Sequence, residues 1–173
     1  MNYSIFDLDI TGLIKKKSGS PLGDAHELFV KSIMMRLGFS VGSMDLSSGA
    51  TDIVIFGKDK PKGKDMILRT QVKTCGSSKD KVSSSITLQA GGRGGIDREY
   101  KSSDKIYKYD KSMIELLIGV DKFYLDLYLI PSIYFDKFGK SVSTKKIPYL
   151  KNNWDILMNW NDNYLNNLYD KSQ

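Results

Sequence analysis

The chain has one cysteine, Cys75, so no internal disulfide can hold it together. Cys75 also has no Cys or His at metal-ligand spacing, and it reads as a small buried apolar residue. No N-terminal basic-then-apolar signal and no apolar run of about 18 residues is present. These absences point to a soluble, intracellular, cytoplasmic protein with no membrane partner. Internal repeats and low-complexity tracts are lacking too.

What is present fits one folded unit, because 173 residues with 40% apolar content suffice for a core. Lys and Arg number 26 against 20 Asp and Glu, a formal net charge of +6. That surplus favours a polyanionic partner such as nucleic acid, although solubility also accounts for a modest excess.

Residues 1–22 read as a lead-in segment that closes in a Lys triplet and a Ser/Gly/Pro stretch. From Asp24, the residues Ala25, Leu28, Phe29, Val30, Ile33, Met34 and Leu37 recur at helical spacing, and Gly38 stands where a helix stops. FSVGSM, TDIVIFG and DMILRTQVKTC then read as strands, with the hairpin loop KDKPKGK between the last two. SITLQA suits a further strand, and the Gly-rich, charged stretch after it suits a loop. IELLIGV and KFYLDLYLIP read as two strands joined by a tight turn at Val120–Lys122, with Pro131 ending the second. Trp154, Leu157, Met158, Leu165 and Leu168 suit a closing helix over 149–170. The expected class is α/β or α+β, a sheet flanked by helices.

Strand alternation puts Gln71 and Lys73 on one face. If the two strands around KDKPKGK pair antiparallel, Asp52 at the start of one lies near both. Apolar neighbours such as Ile53, Ile55, Leu68 and Val72 make lone charges there costly, so the group is either a structural ion pair or a site. The Asp52 carboxylate, the Gln71 amide carbonyl and the Val72 main-chain carbonyl are oxygen ligands of the kind Mg²⁺ takes. Lys73 can then hold or deprotonate an attacking water and stabilise charge developing on phosphorus.

Glu27 on the first helix, Asp52 opening a strand, and Gln71-Val72-Lys73 on the next resemble the PD-(D/E)XK nuclease superfamily in its QxK variant. Arg98-Glu99-Tyr100 and FYLDLYLIP resemble the small intron-encoded homing endonucleases of that superfamily, and a similar QxK occurs in Mrr-type restriction enzymes. The resemblance implies a restriction-endonuclease-like mixed central sheet flanked by helices. It also implies a single nuclease domain over 1–173, with its catalytic core at 23–135. Its catalytic residues would be Glu27, Asp52, Gln71 and Lys73, and its metal ligands Asp52, Gln71, Val72 and Glu27.

Mg²⁺ is the expected cofactor, with Mn²⁺ able to substitute. The expected activity is hydrolysis of phosphodiester bonds in duplex DNA at specific sites, of homing or restriction type. Holliday-junction resolution and non-catalytic nucleic-acid binding on the same fold are the alternatives. Thr51 stands where the family name has Pro, and Gln71 replaces an acid, which leaves the metal site leaning on Glu27. Cutting both strands calls for two sites, so a homodimer or higher symmetric oligomer is expected.

Glu27 falls at the edge of the apolar helical stripe rather than on an outer face with Lys31, and a first-turn Glu complementing the helix dipole fits it as well. His26, near the centre of that stripe, reads as a hydrogen-bonded core residue. Lys58, Lys60, Lys62 and Lys64 share the hairpin loop, where a solvated loop and a set of phosphate contacts fit equally. Arg93 in GGRGG, Arg98 and Tyr100 are further candidates for DNA contact. Trp154 and Trp160 read as packing residues rather than base-stacking ones.

Overall fold

The opening helix, α1, runs Ser20–Arg36, with Pro21 in its first turn where a missing N–H does no harm. It stops at Gly38, which takes φ +91 and so needs the freedom only glycine has at no cost. There the Phe39 N–H bonds the Met34 carbonyl at 3.1 Å and the Gly38 N–H bonds that of Met35 at 3.0 Å. This bonding pattern satisfies the last carbonyls of the helix and folds Phe39 back onto Met34 in the core. His26, Val30 and Met34 form the buried stripe, flanked by Phe29 and Ile33. The expected stripe was broader than the real one, since Ala25, Leu28 and Leu37 are exposed. Apolar residues occupy two faces of this helix, and only one of them packs inward.

In the computed structural model, the described residues are 20–44, 50–58, 63–77, 84–90 and 107–171. The main sheet is mixed and has five strands, β1 Ser40–Ser43, β2 Ile53–Lys58, β3 Asp65–Thr74, β8 Leu116–Val120 and β9 Leu127–Pro131, which lie side by side in that order. The first three are antiparallel, β8 lies parallel to β3, and β9 is antiparallel to β8. A parallel neighbour needs a long crossover. Here it contains β4 Gly76–Ser77, β5 Ser84–Thr87, β6 Gln89–Ala90 and β7 Tyr107–Lys108. SITLQA is therefore two short strands, and the run of strands after α1 is not a plain meander. β8 and β9 are buried along their whole length, as strands covered on both faces are.

The connection from β8 to β9 is longer than the turn expected at Val120–Lys122. Asp121 caps it, its carboxylate accepting from the N–H groups of Phe123 and Tyr124 at 2.8 Å each. β9 ends at Pro131 as expected. After it come α2 Phe135–Phe138, β10 Ser141–Ser143, α3 Asp155–Met158 and α4 Asp162–Asp170, and β10 joins β5 and β4 in a small second sheet. The closing segment is thus two helices rather than one. Asn161 takes an extended conformation between them, and its side chain caps α4 by accepting from the Tyr164 N–H. Trp154 and Trp160 pack against the core. The result is a mixed α+β arrangement, a five-stranded sheet flanked by helices. No helix among the described residues is long and apolar enough to cross a membrane.

Candidate active site

The site is built where β2 begins and β3 runs past it. The Asp52 N–H bonds the Thr70 carbonyl at 3.0 Å, and the Asp52 carbonyl accepts from the Met44 N–H at 3.0 Å. Two residues further along β3, the N–H and carbonyl of Val72 face the same side as those of Thr70, but β2 no longer runs beside them. A buried main-chain group left there needs a partner. The Asp52 carboxylate supplies one, with Oδ2 accepting from the Val72 N–H at 2.8 Å. The same Oδ2 accepts from the Gln71 amide nitrogen, which also reaches the Val72 carbonyl at 3.3 Å.

The Asp52 carboxylate and the Val72 carbonyl therefore converge on one point, occupied by the amide of Gln71, whose side chain is buried. The amide presents its nitrogen to both oxygens, so its carbonyl would join them as a third oxygen donor, the donor chemistry a hard cation selects, only with the amide turned over. Among the described residues no three His, Cys, Asp or Glu side chains cluster at metal-binding spacing. Any cation held here would rest on one carboxylate and neutral oxygens, with water and phosphate oxygens completing the shell.

Lys73 follows on the same face of β3, its ammonium 5.3 Å from the centroid of the buried Tyr109 ring. A cation over a ring face is attracted by the ring quadrupole. In the parallel register Lys73 lies opposite Gly119, and a Cβ there would meet Ile86 of β5, so the crossover strands pass close to the face that carries Lys73. Arg69, two residues before Gln71, fixes the near end of that face. Its N–H donates to Glu115 Oε2 at 2.7 Å, its guanidinium grips the same carboxylate, and Nη1 reaches the Ser112 carbonyl at 2.8 Å. The Glu115 hydrogen bonds hold the guanidinium pKa above its ordinary value.

Across the sheet, α1 brings its first turns to the end where the site lies. His26 is buried, and its Nδ1 is 2.8 Å from Thr74 Oγ1 at the end of β3. Burial lowers its pKa, against a smaller raising effect of Asp121. This is the hydrogen-bonded core histidine expected from the sequence. Glu27 pairs with Lys31 at 2.7 Å, and the same ammonium donates to Ser43 Oγ at 2.7 Å. Lys31 is therefore not on an outer face. Its side chain is 17% exposed, wedged between the helix and β1. The structure thus joins Asp52, Gln71 and Val72 directly, sets Lys73 beside them, and engages Glu27 with Lys31. Lys31, Tyr109 and Glu115 were not singled out from the sequence. The i,i+4 spacing of Glu27 and Lys31 was a usable signal for the first.

Among the candidate DNA contacts, Lys58 and Lys64 are exposed at the two ends of the hairpin loop. Lys58 stands opposite Asp65, its Nζ 4.0 Å from the carboxylate, with both side chains well solvated. Lys60, Lys62, Arg93, Arg98 and Tyr100 lie outside the described residues.

The fold has a solved counterpart. A bacterial homing endonuclease, I-Ssp6803I, superposes with a TM-score of 0.62 over 82% of this chain and 94% of its own, at 14% sequence identity. At that identity the likeness is one of fold. No protein-family model and no curated protein sequence matches the chain. The shared fold, a mixed sheet flanked by helices, is the one the sequence led us to expect.

Proposed function

We propose that this chain is a DNA endonuclease of the PD-(D/E)XK type in its QxK variant, hydrolysing phosphodiester bonds in duplex DNA at specific sites. The observation that carries the reading is the meeting of the Asp52 carboxylate, the Gln71 amide and the Val72 main chain at the open end of β3, with Lys73 on the same face. The fold it shares with a bacterial homing endonuclease supports it. So does the +6 net charge, which favours a polyanion.

Asp52 and the Val72 carbonyl would hold Mg²⁺, or Mn²⁺ in its place, with Gln71 joining them through its carbonyl once its amide turns over, and such oxygens are the donors this ion takes. The ion, when bound, supplies Lewis acidity towards the scissile phosphate. The protein's own groups do the rest. Gln71 is buried, and its amide is fixed by hydrogen bonds, so it cannot swing into solvent. Lys73 directs its ammonium at the same face, where it orients the attacking water and stabilises negative charge as the phosphorus centre becomes five-coordinate. Glu27, held by its ion pair with Lys31, would add a carboxylate from the helix side. DNA is the proposed partner, the chain acts as a symmetric oligomer so that both strands are reached, and the protein works inside the cell.

Incubation with supercoiled plasmid, linear duplex and a four-way junction, each with Mg²⁺ or with chelator, tests the proposal. Metal-dependent nicking or linearisation is expected, with a preferred site on duplex. Cleavage confined to the junction would replace site-specific cutting by junction resolution. Tight DNA binding with no cleavage under any divalent ion would overturn the enzymatic reading.

A further inference from the structure

We infer that the outer face of α1 is a docking surface for a second copy of this chain, with the two helices antiparallel across a two-fold axis at the level of residue 30. The inner stripe of the helix is fully used, since His26, Val30 and Met34 are buried against the sheet. On the opposite side Ala25, Leu28, Ser32 and Met35 are all exposed, at the alternating three- and four-residue spacing along which helices pack on one another. Leu28 is 65% and Met35 57% exposed. Isolated apolar residues on a surface are ordinary. A seam of this spacing is not isolated, and the order of sizes along it identifies the occupant.

Laid on itself in the opposite direction, the seam sets Ala25 facing Met35 and Leu28 facing Ser32. Each large side chain then enters the space above a small one, at every step and on both copies. A parallel pairing would instead stack Leu28 on Leu28 and Met35 on Met35 and leave gaps at Ala25 and Ser32, which packing disfavours. Charge selects the same arrangement. Asp24 and Arg36, both exposed, stand at the two ends of the seam, and the antiparallel arrangement brings unlike ends together where the parallel one would bring Arg36 to Arg36. Such a pairing is isologous, the self-complementary kind that closes into a dimer. A 17-residue helix is about 25 Å long, so the contact is at the small end of specific interfaces and the dimer should depend on concentration. None of this rests on the nuclease reading.

Sedimentation of the full chain over a wide concentration series should show a monomer–dimer equilibrium. Leu28→Asp should weaken the dimer by about 100-fold or more, because the side chain is removed twice from each dimer. Leu28 touches solvent in the monomer, so circular dichroism and the melting temperature of the variant should stay close to those of the parent. Orientation is read by oxidising Ala25→Cys and Met35→Cys variants separately and mixed. Cys75 does not compete, being buried and with burial pushing up the pKa of its thiol. Disulfide dimers are expected from the mixture and from neither variant separately. The inference is overturned by a monomer at every concentration, by a dimer indifferent to Leu28→Asp, or by cross-linking of Ala25→Cys with itself.

Discussion

Lys73 and Asp52 stand within one corner of the sheet, yet their substitution should separate chemistry from binding. Lys73→Ala should lower cleavage by at least about 100-fold while duplex affinity hardly changes, because the ammonium acts on charge that develops only in the transition state. Single-turnover cleavage and fluorescence anisotropy on the same variant check both halves, and parental cleavage rates would remove Lys73 from the mechanism. Asp52→Asn keeps an oxygen that can accept from the Val72 N–H and the Gln71 amide, so folding should survive while divalent affinity falls. Glu27→Gln should give a milder loss. Calorimetric titration of Mn²⁺ into the protein–DNA complex measures this, and unchanged affinity in both would make the corner a structural contact only. His26 gives a pH signature of its own. Its pKa is held below about 6.5 by burial, so between that value and the lowered one the unfolded chain binds more protons than the folded. Stability should therefore fall as pH drops below about 6.5 and gain no slope from this group above it. His26→Gln should remove that slope, as urea midpoints across a pH series would show.

Elements differ in how much of themselves they declare. The start of β2, the hairpin to β3 and the end of α1 follow from local rules, namely alternation, a Lys/Gly/Pro loop and a glycine stop at Gly38, so all three were legible in the sequence. Ala25 and Leu28 read as core because periodicity reports that a residue is apolar, not which of two apolar faces meets the sheet. The parallel partner β8 was not legible, since nothing local in IELLIGV says that it pairs with β3 rather than only with β9. Tight packing at that junction can be probed directly. A Cβ on Gly119 would lie 2.5 Å from Ile86 Cδ1 and 3.3 Å from Cys75 Sγ. Gly119→Ala should cost roughly 1–3 kcal/mol through overpacking. Adding Ile86→Val, which removes the nearest atom, should recover part of that loss in denaturant unfolding. No recovery would place the strain in the backbone of β8 instead.

On the scale of the whole molecule, the candidate site was legible where its members are close in sequence and illegible where the fold assembles it. Asp52, Gln71 and Lys73 sit on paired strands joined by one hairpin, whereas Tyr109 under Lys73 and Glu115 on Arg69 arrive from the far side of the crossover. The net charge of +6 is also a property of the whole chain, and it has a local concentration in the loop bearing Lys58, Lys60, Lys62 and Lys64. Lys58 and Lys64 are exposed at the end of the β2–β3 pair opposite to the one that carries Asp52 and Gln71. If these lysines meet phosphates, they position the duplex without reading bases. Neutralising all four should then weaken specific and nonspecific duplex alike, and every phosphate left without its lysine should take roughly 0.9 from the slope of log affinity against log salt. Sequence preference should survive, because positioning on the backbone carries no information about base edges. Anisotropy across a salt series on matched and scrambled duplexes decides between the readings. An unchanged slope leaves the lysines as a solvated loop, and a changed preference makes them readers of sequence.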